Sequence, residues 1–224
     1  MDSTMSASIF GLGLCAYLLG AIPTAFLLAR LRGVDIRKVG SGNVGATNVF
    51  RSVSKPLGVL TFVLDAAKGF VAAFVLPRVP AMISSGTAAG GAVLPHALLL
   101  AALAVVGHNW PIYLRFRGGK GVATAAGAVT GLAPAAALIG LLVWTAVFLL
   151  TRYVSVASVT AALLVPAAAW LLAKPGEYAL PAVLSAVGLI IVWRHRSNLQ
   201  RLRAGTEHRF EFRRRRTPET CVRP

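Results

Sequence analysis

The sequence predicts an all-α, polytopic membrane protein that crosses the bilayer seven times, with its N-terminus outside and its C-terminus in the cytoplasm. Three observations carry that prediction. Hydrophobic residues make up 56% of the 224 and charged residues only 13%, well below the share of roughly a quarter in a soluble domain. The mean hydropathy is +0.71, and the apolar residues fall into stretches of about 20, the length that crosses a bilayer as helix. The remaining charges are lopsided, 23 Lys and Arg against 7 Asp and Glu, and they gather at alternate ends of those stretches, as the cytoplasmic bias of basic residues requires. That bias accounts for the net charge of +16 without a nucleic-acid partner.

The first eight residues carry no Lys or Arg, so they lack the positive start of a secretory signal, and the first apolar stretch is expected to stay as a helix. That span covers residues 9–31, with Pro23 as a kink, and ends in Arg30, Arg32, Arg37 and Lys38, which mark the cytoplasm. A second span is expected over 56–76, then a short outer link rich in Pro, Ser, Gly and Ala, then a third span over 92–110.

Between Val122 and Thr151 the pattern allows one long crossing or two. One crossing would put Arg152 and every basic residue from Arg194 onward outside, whereas two put them all inside, so two are expected. Gly127, Gly131 and Pro134 mark the break, giving a short fourth segment over 122–132 and a fifth over 133–150. A segment that short is tolerated only against other helices or beside a polar cavity, so a site is expected there. The sixth span covers 153–173, Lys174-Pro-Gly-Glu177 forms the outer turn, and the seventh covers 178–193. Only Arg78 and Lys174 then face outward and only Lys68 lies inside a span. Residues 1–212 read as one domain without internal repeats, and 213–224 as a basic, disordered tail whose Arg213 to Arg216 run tethers to anionic headgroups. Cys15 and Cys221 offer neither metal-ligand spacing nor a disulfide framework.

The polar residues that could carry chemistry collect on the cytoplasmic side. The stretch 40–51, Gly-Ser-Gly-Asn-Val-Gly-Ala-Thr-Asn-Val-Phe-Arg, has the glycines that let a backbone curl against a ligand, followed by a helix start whose N–H groups point at a bound anion. It reads as a phosphate cradle. A second loop over 115–121, Arg-Phe-Arg-Gly-Gly-Lys-Gly, joins cations to flexible backbone and leads to Thr124, although the Gly-x-x-x-x-Gly-Lys-Ser/Thr spacing of an ATP-binding loop is absent. Two such loops on one face are expected to converge; alone, the second would be a plain basic turn.

Asp65 and Lys68 sit three apart on one face of the second span and can neutralise each other, as a structural pair or in contact with substrate. His108, at the end of the third span, reads first as a helix-end packing residue. His195 and Asn198 lie one turn apart among cations that favour a neutral, proton-accepting imidazole, with a solvated interfacial face as the competing reading. Ser155 and Ser158 begin the sixth span, where hydroxyls either cap the backbone or meet a ligand. No Gly-x-Ser-x-Gly, His-Glu-x-x-His or cysteine cluster occurs, so neither a covalent serine mechanism, a metal nor a cofactor is expected.

Taken in order, 40–48 with Arg51, Asp65-Ala-Ala-Lys-Gly69, Gly107-His-Asn-Trp-Pro111 leading to Gly118-Gly-Lys-Gly-Val-Ala-Thr124, and His195-Arg-Ser-Asn198 with Gly205-Thr-Glu207 resemble the PlsY-type bacterial acyl-phosphate:glycerol-3-phosphate acyltransferases. The resemblance runs from the first span to about Glu207. It implies a seven-helix inner-membrane enzyme with its active site facing the cytoplasm. That enzyme would move a fatty acyl group from acyl phosphate to the 1-hydroxyl of sn-glycerol 3-phosphate, giving lysophosphatidic acid and phosphate, the opening step of phospholipid synthesis. Transfer would be direct, without coenzyme A, carrier protein or a covalent acyl-enzyme. Consistently, the His-x-x-x-x-Asp pattern of other glycerolipid acyltransferases is missing, since Tyr113 follows His108 and Gln200 follows His195 at that spacing.

Carried over by motif, Ser41, Gly42, Asn43, Gly45, Thr47 and Asn48 would hold acyl phosphate, while Arg51, Lys120, Ser155 or Ser158, His195 and Asn198 would hold glycerol 3-phosphate. Ser41, Asn43, Lys120 and His195 would stand nearest the chemistry, with either His195 or a substrate phosphate oxygen as proton acceptor. Asp65, Lys68, His108, Gly118, Gly119, Gly121, Thr124 and Glu207 would support the site. The implied partners are the two substrates, membrane lipid and, functionally, the enzyme that makes acyl phosphate. The competing class is a multi-pass transporter of phosphate or an organic anion, which predicts anion contacts reachable from both faces; here the candidates cluster on one.

Overall fold

The computed structural model describes residues 3–79 and 90–211. The expected outer link after the second span and the basic tail 213–224 lie almost wholly or wholly outside the described residues. Regular structure among them is helical: α1 (Ser3–Ala21), α2 (Thr24–Arg30), α3 (Ala46–Ser52), α4 (Lys55–Phe70), α5 (Gly90–Asn109), α6 (Val122–Leu132), α7 (Pro134–Thr151), α8 (Val154–Leu172), α9 (Ala179–Arg194) and α10 (Arg196–Arg203). Five stretches are long and apolar enough to cross a membrane, Ile9–Arg30, Lys55–Arg78, Val93–Leu114, Pro134–Thr151 and Val154–Leu172, and α9 with α10, bent by 50°, makes a sixth. The chain is a multi-pass membrane protein.

The breaks follow from proline. The expected kink at Pro23 is a full interruption, with Ile22 and Pro23 outside helix and α2 starting afresh at Thr24. Pro134 at the start of α7 disfavours the helical conformation of the residue before it, and Ala133 is extended at φ −151° and ψ 81°. That ends α6 after 11 residues, a rod of about 16 Å against a hydrocarbon core of about 30 Å. The second span differs from a plain helix: beyond Phe70 it widens into a π-turn over Val71–Val75 and tightens into a 3-10 turn over Leu76–Arg78. Pro77 cannot return a backbone bond and its ring crowds the carbonyl four residues earlier, which the wider turn relieves.

Helices α1 and α5, α4 and α6, and α8 with both α7 and α9 form the main packed pairs. The closest approaches are made by small residues: a Cβ on Gly20 would strike the Ala104 backbone, and one on Gly69 or Gly127 would strike the Thr124 or Ala66 carbonyl. In lipid, where apolar surface alone gives no reason to associate, such close van der Waals packing holds helices together. Helix α7 has no buried residue and stands at the edge of the bundle.

The Pro23 break has a polar use. Lys68 Nζ donates to the freed Ile22 carbonyl at 3.1 Å and pairs with Asp65 at 2.8 Å, while Thr24 Oγ1 donates to the same carboxylate at 2.5 Å. His108 Nδ1 stands 3.6 Å away. This knot ties α2, α4 and α5 together, with Asp65 and Lys68 side chains 2% and 5% exposed. Lys68→Met strands a buried carboxylate and is expected to cost about 3–5 kcal/mol, read as a lower melting temperature in detergent. The double variant Asp65→Leu/Lys68→Met should regain most of the loss. A single variant melting with the parent would rule the knot out as a tie.

Candidate active site

The loop ahead of α3 is shaped from inside by Asn48. Its amide donates to the carbonyls of Ile36, Val39 and Asn43 at 3.1–3.2 Å and its Oδ1 accepts from the Ser41 N–H at 3.1 Å and Ser52 Oγ at 3.2 Å. Asn48, expected among the acyl-phosphate ligands, thus holds the loop together, is 1% exposed, and also lines the cavity. Gly40 turns at φ 58°, where a Cβ would also collide with Asn48 Oδ1 and Ser52 Oγ, so this position needs glycine. The result presents Ser41, Asn43, Gly45 and Thr47 to a cavity of about 1070 Å³.

The second glycine loop is fixed from α9. Arg194 donates through Nε to the Gly119 carbonyl at 2.9 Å and through Nη2 to the Gly118 and Gly119 carbonyls at 2.8 and 2.6 Å. Planar guanidinium suits such a forked grip. Lys120 is thereby aimed into the same cavity, where its Nζ donates to Asn198 Oδ1.

Glu207 closes the arrangement. Gly205, at φ 68°, reverses the chain after α10, with the Thr206 N–H bonded to the Arg201 carbonyl at 2.8 Å. The Glu207 carboxylate then accepts from Asn198 Nδ2 at 2.6 Å, Ser155 Oγ at 2.8 Å and Arg201 Nε at 2.9 Å. Burial opposes its ionisation, but the hydrogen bonds from Asn198, Ser155 and Arg201 outweigh that and hold its pKa below the usual carboxylate value. Ser158 Oγ accepts from Trp144 Nε1 at 3.1 Å.

His195 sits at the bend between α9 and α10. Its Nδ1 lies 2.8 Å from the Ile191 carbonyl, which assigns the proton to Nδ1 and leaves Nε2 as the acceptor. Lys120 is pushed down to about 8, first by burial and then by the charges of Arg201, Arg194 and Arg51, with Glu207 acting the other way.

The cavity therefore gathers Ser41, Asn43, Gly45, Thr47, Asn48, Arg51, Lys120, Gly121, Ser155, Ser158, His195, Asn198 and Glu207, with Asp65 and His108 at its floor. Lys68, Gly118 and Gly119 line a small recess beside it, together with His108. Gly42 serves the turn at φ 68°, and Thr124 is fully buried, its carbonyl facing Gly69. Sequence reasoning missed Lys55, Arg201 and Arg209, which add positive charge to the lining, and an aromatic wall of Phe50, Trp144, Phe148 and Phe210. Arg201, one helical turn beyond Asn198, and Trp144 with Phe148, four apart, carry a periodic signal; Phe210 carries none. The lining thus joins cationic and amide-bearing residues to aromatic ones and to the exposed Val59 and Phe62 of α4.

Fold and site together define an integral membrane enzyme for phosphorylated, lipid-like molecules. The family model described as glycerol-3-phosphate acyltransferase matches residues 10–205, and the chain belongs to that family. The glycerol-3-phosphate acyltransferase of Aquifex aeolicus is 45% identical over 198 residues, 87% of this chain and 95% of the relative. That of Desulforudis audaxviator is 43% identical over 208 residues, 92% and 98%. Two crystal structures of PlsY (YgiH), an integral membrane glycerol 3-phosphate acyltransferase, superpose over 91% of this chain and 96% of theirs. The glycerol 3-phosphate form has a TM-score of 0.79 at 39% identity and the lysophosphatidic acid form 0.77 at 38%.

A pKa near 8 makes anion affinity pH-dependent. Binding a phosphate dianion favours charged Lys120 and raises its pKa, so affinity is full below pH 8 and declines as pH rises through it. Titration of glycerol 3-phosphate without donor is expected to give a dissociation constant roughly tenfold weaker at pH 9.5 than at pH 7, the effect of a one-unit rise on binding. Lys120→Arg should flatten the profile, and an unchanged profile would place the titration elsewhere.

Proposed function

We propose that this glycerol-3-phosphate acyltransferase takes its acyl group from acyl phosphate and passes it directly to the 1-hydroxyl of sn-glycerol 3-phosphate. The observation that carries the reading is one cavity holding two anion-suited walls, the 41–47 backbone with Asn43 and the Arg51, Lys120, Arg201 cluster, beside an aromatic wall suited to an alkyl chain. Two phosphorylated substrates need two such walls, and one of them brings a fatty chain.

The hydroxyl oxygen attacks the acyl carbonyl, the new C–O bond forms, and the bond to the phosphate oxygen breaks with phosphate leaving. Acyl phosphate is already activated, so no nucleophilic side chain is needed. The hydroxyl proton goes to His195 Nε2 or to a substrate phosphate oxygen. Asn43 and loop N–H groups stabilise charge on the carbonyl oxygen, each well-placed donor contributing about 3–4 kcal/mol, while alignment of the two substrates can supply about 7–11 kcal/mol. Arg51, Lys120, His195 and Asn198 hold the acceptor, and Glu207 fixes Asn198 and Ser155 among them.

The same reading counts α6 and α9 as spans, giving seven. The N-terminus lies outside and the site faces the cytoplasm from the cell's inner membrane. The positive-inside bias supports this orientation.

Purified protein in lipid nanodiscs, given acyl phosphate and glycerol 3-phosphate alone, is expected to release phosphate and lysophosphatidic acid; no product without coenzyme A or a carrier protein would sink the donor assignment. Lys120→Ala should raise KM for glycerol 3-phosphate by tenfold or more, on the scale of a lost charged contact, and Asn43→Ala should chiefly impair use of acyl phosphate. Wild-type kinetics in both would reject the assignments. For topology, Gln200→Cys in a background without Cys15 and Cys221 should react with an impermeant thiol reagent only from the cytoplasmic side. Labelling in intact cells would invert the arrangement.

A further inference from the structure

We propose that Phe210, packed between Phe50 and Phe148, decides which acyl chains the enzyme accepts, because it completes a rigid aromatic wall of the cavity against which the chain lies. The inference rests on the acyltransferase reading and deepens it. It starts from a segment that lies past residue 205, where the family match ends.

Residues 206–211 form a strap pinned at two points. Glu207 anchors it to α8 and α10 through Ser155, Asn198 and Arg201. Three residues on, the Phe210 N–H donates to the Arg152 carbonyl at 2.8 Å, at the end of α7. With both points held, the ring has little freedom. Its centroid lies 5.4 Å from Phe148 of α7, edge to face, and 5.9 Å from Phe50 of α3. Phe148 in turn stacks on Trp144 at 5.0 Å.

These rings therefore reach from α3, which carries the phosphate cradle, to the outermost helix of the bundle. Trp144 also donates to Ser158, which fixes the far end of the wall on α8. Val59 and Phe62 of α4, 54% and 49% exposed, line the same cavity. An acyl group whose carbonyl sits at the 41–47 backbone shares that cavity with the aromatic wall that Phe210 completes. Rings held in mutual contact give a rigid surface along which a straight methylene chain lies flat and which obstructs a branch placed near the carbonyl. Differences of one carbon in such an apolar slot are worth about 10- to 200-fold in selectivity.

The test uses the full chain in nanodiscs, with hexadecanoyl phosphate and 3-methylhexadecanoyl phosphate as donors. The parent should prefer the straight donor in kcat/KM, and Phe210→Ala should shrink that preference at least fivefold while KM for glycerol 3-phosphate stays within twofold. Phe210→Tyr, which keeps the ring, should keep the preference. Phe148→Leu, which thins the same wall without altering residues 206–211, should shrink it too and serves if Phe210→Ala fails to fold. An active Phe210→Ala with the parental ratio would overturn the proposal, as would a change confined to KM for glycerol 3-phosphate, which would make Phe210 only a fastener for Glu207. If the parent uses neither acyl phosphate, the donor assignment itself falls.

Discussion

A carboxylate buried among apolar helices needs a cation and hydrogen-bond donors, and the architecture near Asp65 is arranged to supply them. Lys68 comes from the same helix face, Thr24 from the restart after Pro23, and His108 from the end of α5. The broken first span is what leaves the Ile22 carbonyl available to Lys68. Because the two charges neutralise each other inside the bundle, the cations lining the cavity are not drawn off by Asp65. They remain for anions, and the knot beneath them gives the glycine loops a firm floor.

The second buried carboxylate works differently. Glu207 gathers three donors from α8 and α10, and through Asn198 its influence extends to Lys120. A carboxylate placed among Arg51, Lys120 and Arg201 limits their mutual repulsion. Arg194 acts from outside the cavity, gripping loop carbonyls to set where Lys120 points. Its own charge also makes protonation of Lys120 harder, so positioning and electrostatics are coupled in one residue.

Helix α6 explains how a polar chamber and lipid come to meet. A rod of 11 residues reaches only part of the way across, and its Gly127 packs it tightly on α4. The outer helix α7, with no buried residue, then contributes Trp144 and Phe148 to the cavity wall instead of filling it. A phosphate group and a hydrocarbon chain thus find suitable surfaces within one volume.

Much of this was legible in the residues themselves. Apolar length marks the long spans, and the split of 122–151 expected from charge parity falls where the helix breaks at Ala133. Proline and glycine mark the breaks at Pro23 and Ala133, because a missing N–H and a crowded ring act locally whatever surrounds them. The resemblance of the motifs was sufficient to place the chain in its family. Tertiary structure alone decided that Asn48 shapes the loop that brings Ser41 and Asn43 to the cavity, that Arg194 is the clamp on Gly118 and Gly119, and that Phe210 lies between Phe50 and Phe148. Those roles depend on groups up to 160 positions apart in sequence coming within hydrogen-bonding or ring-contact distance, and no local propensity or spacing encodes which distant partner a side chain will meet.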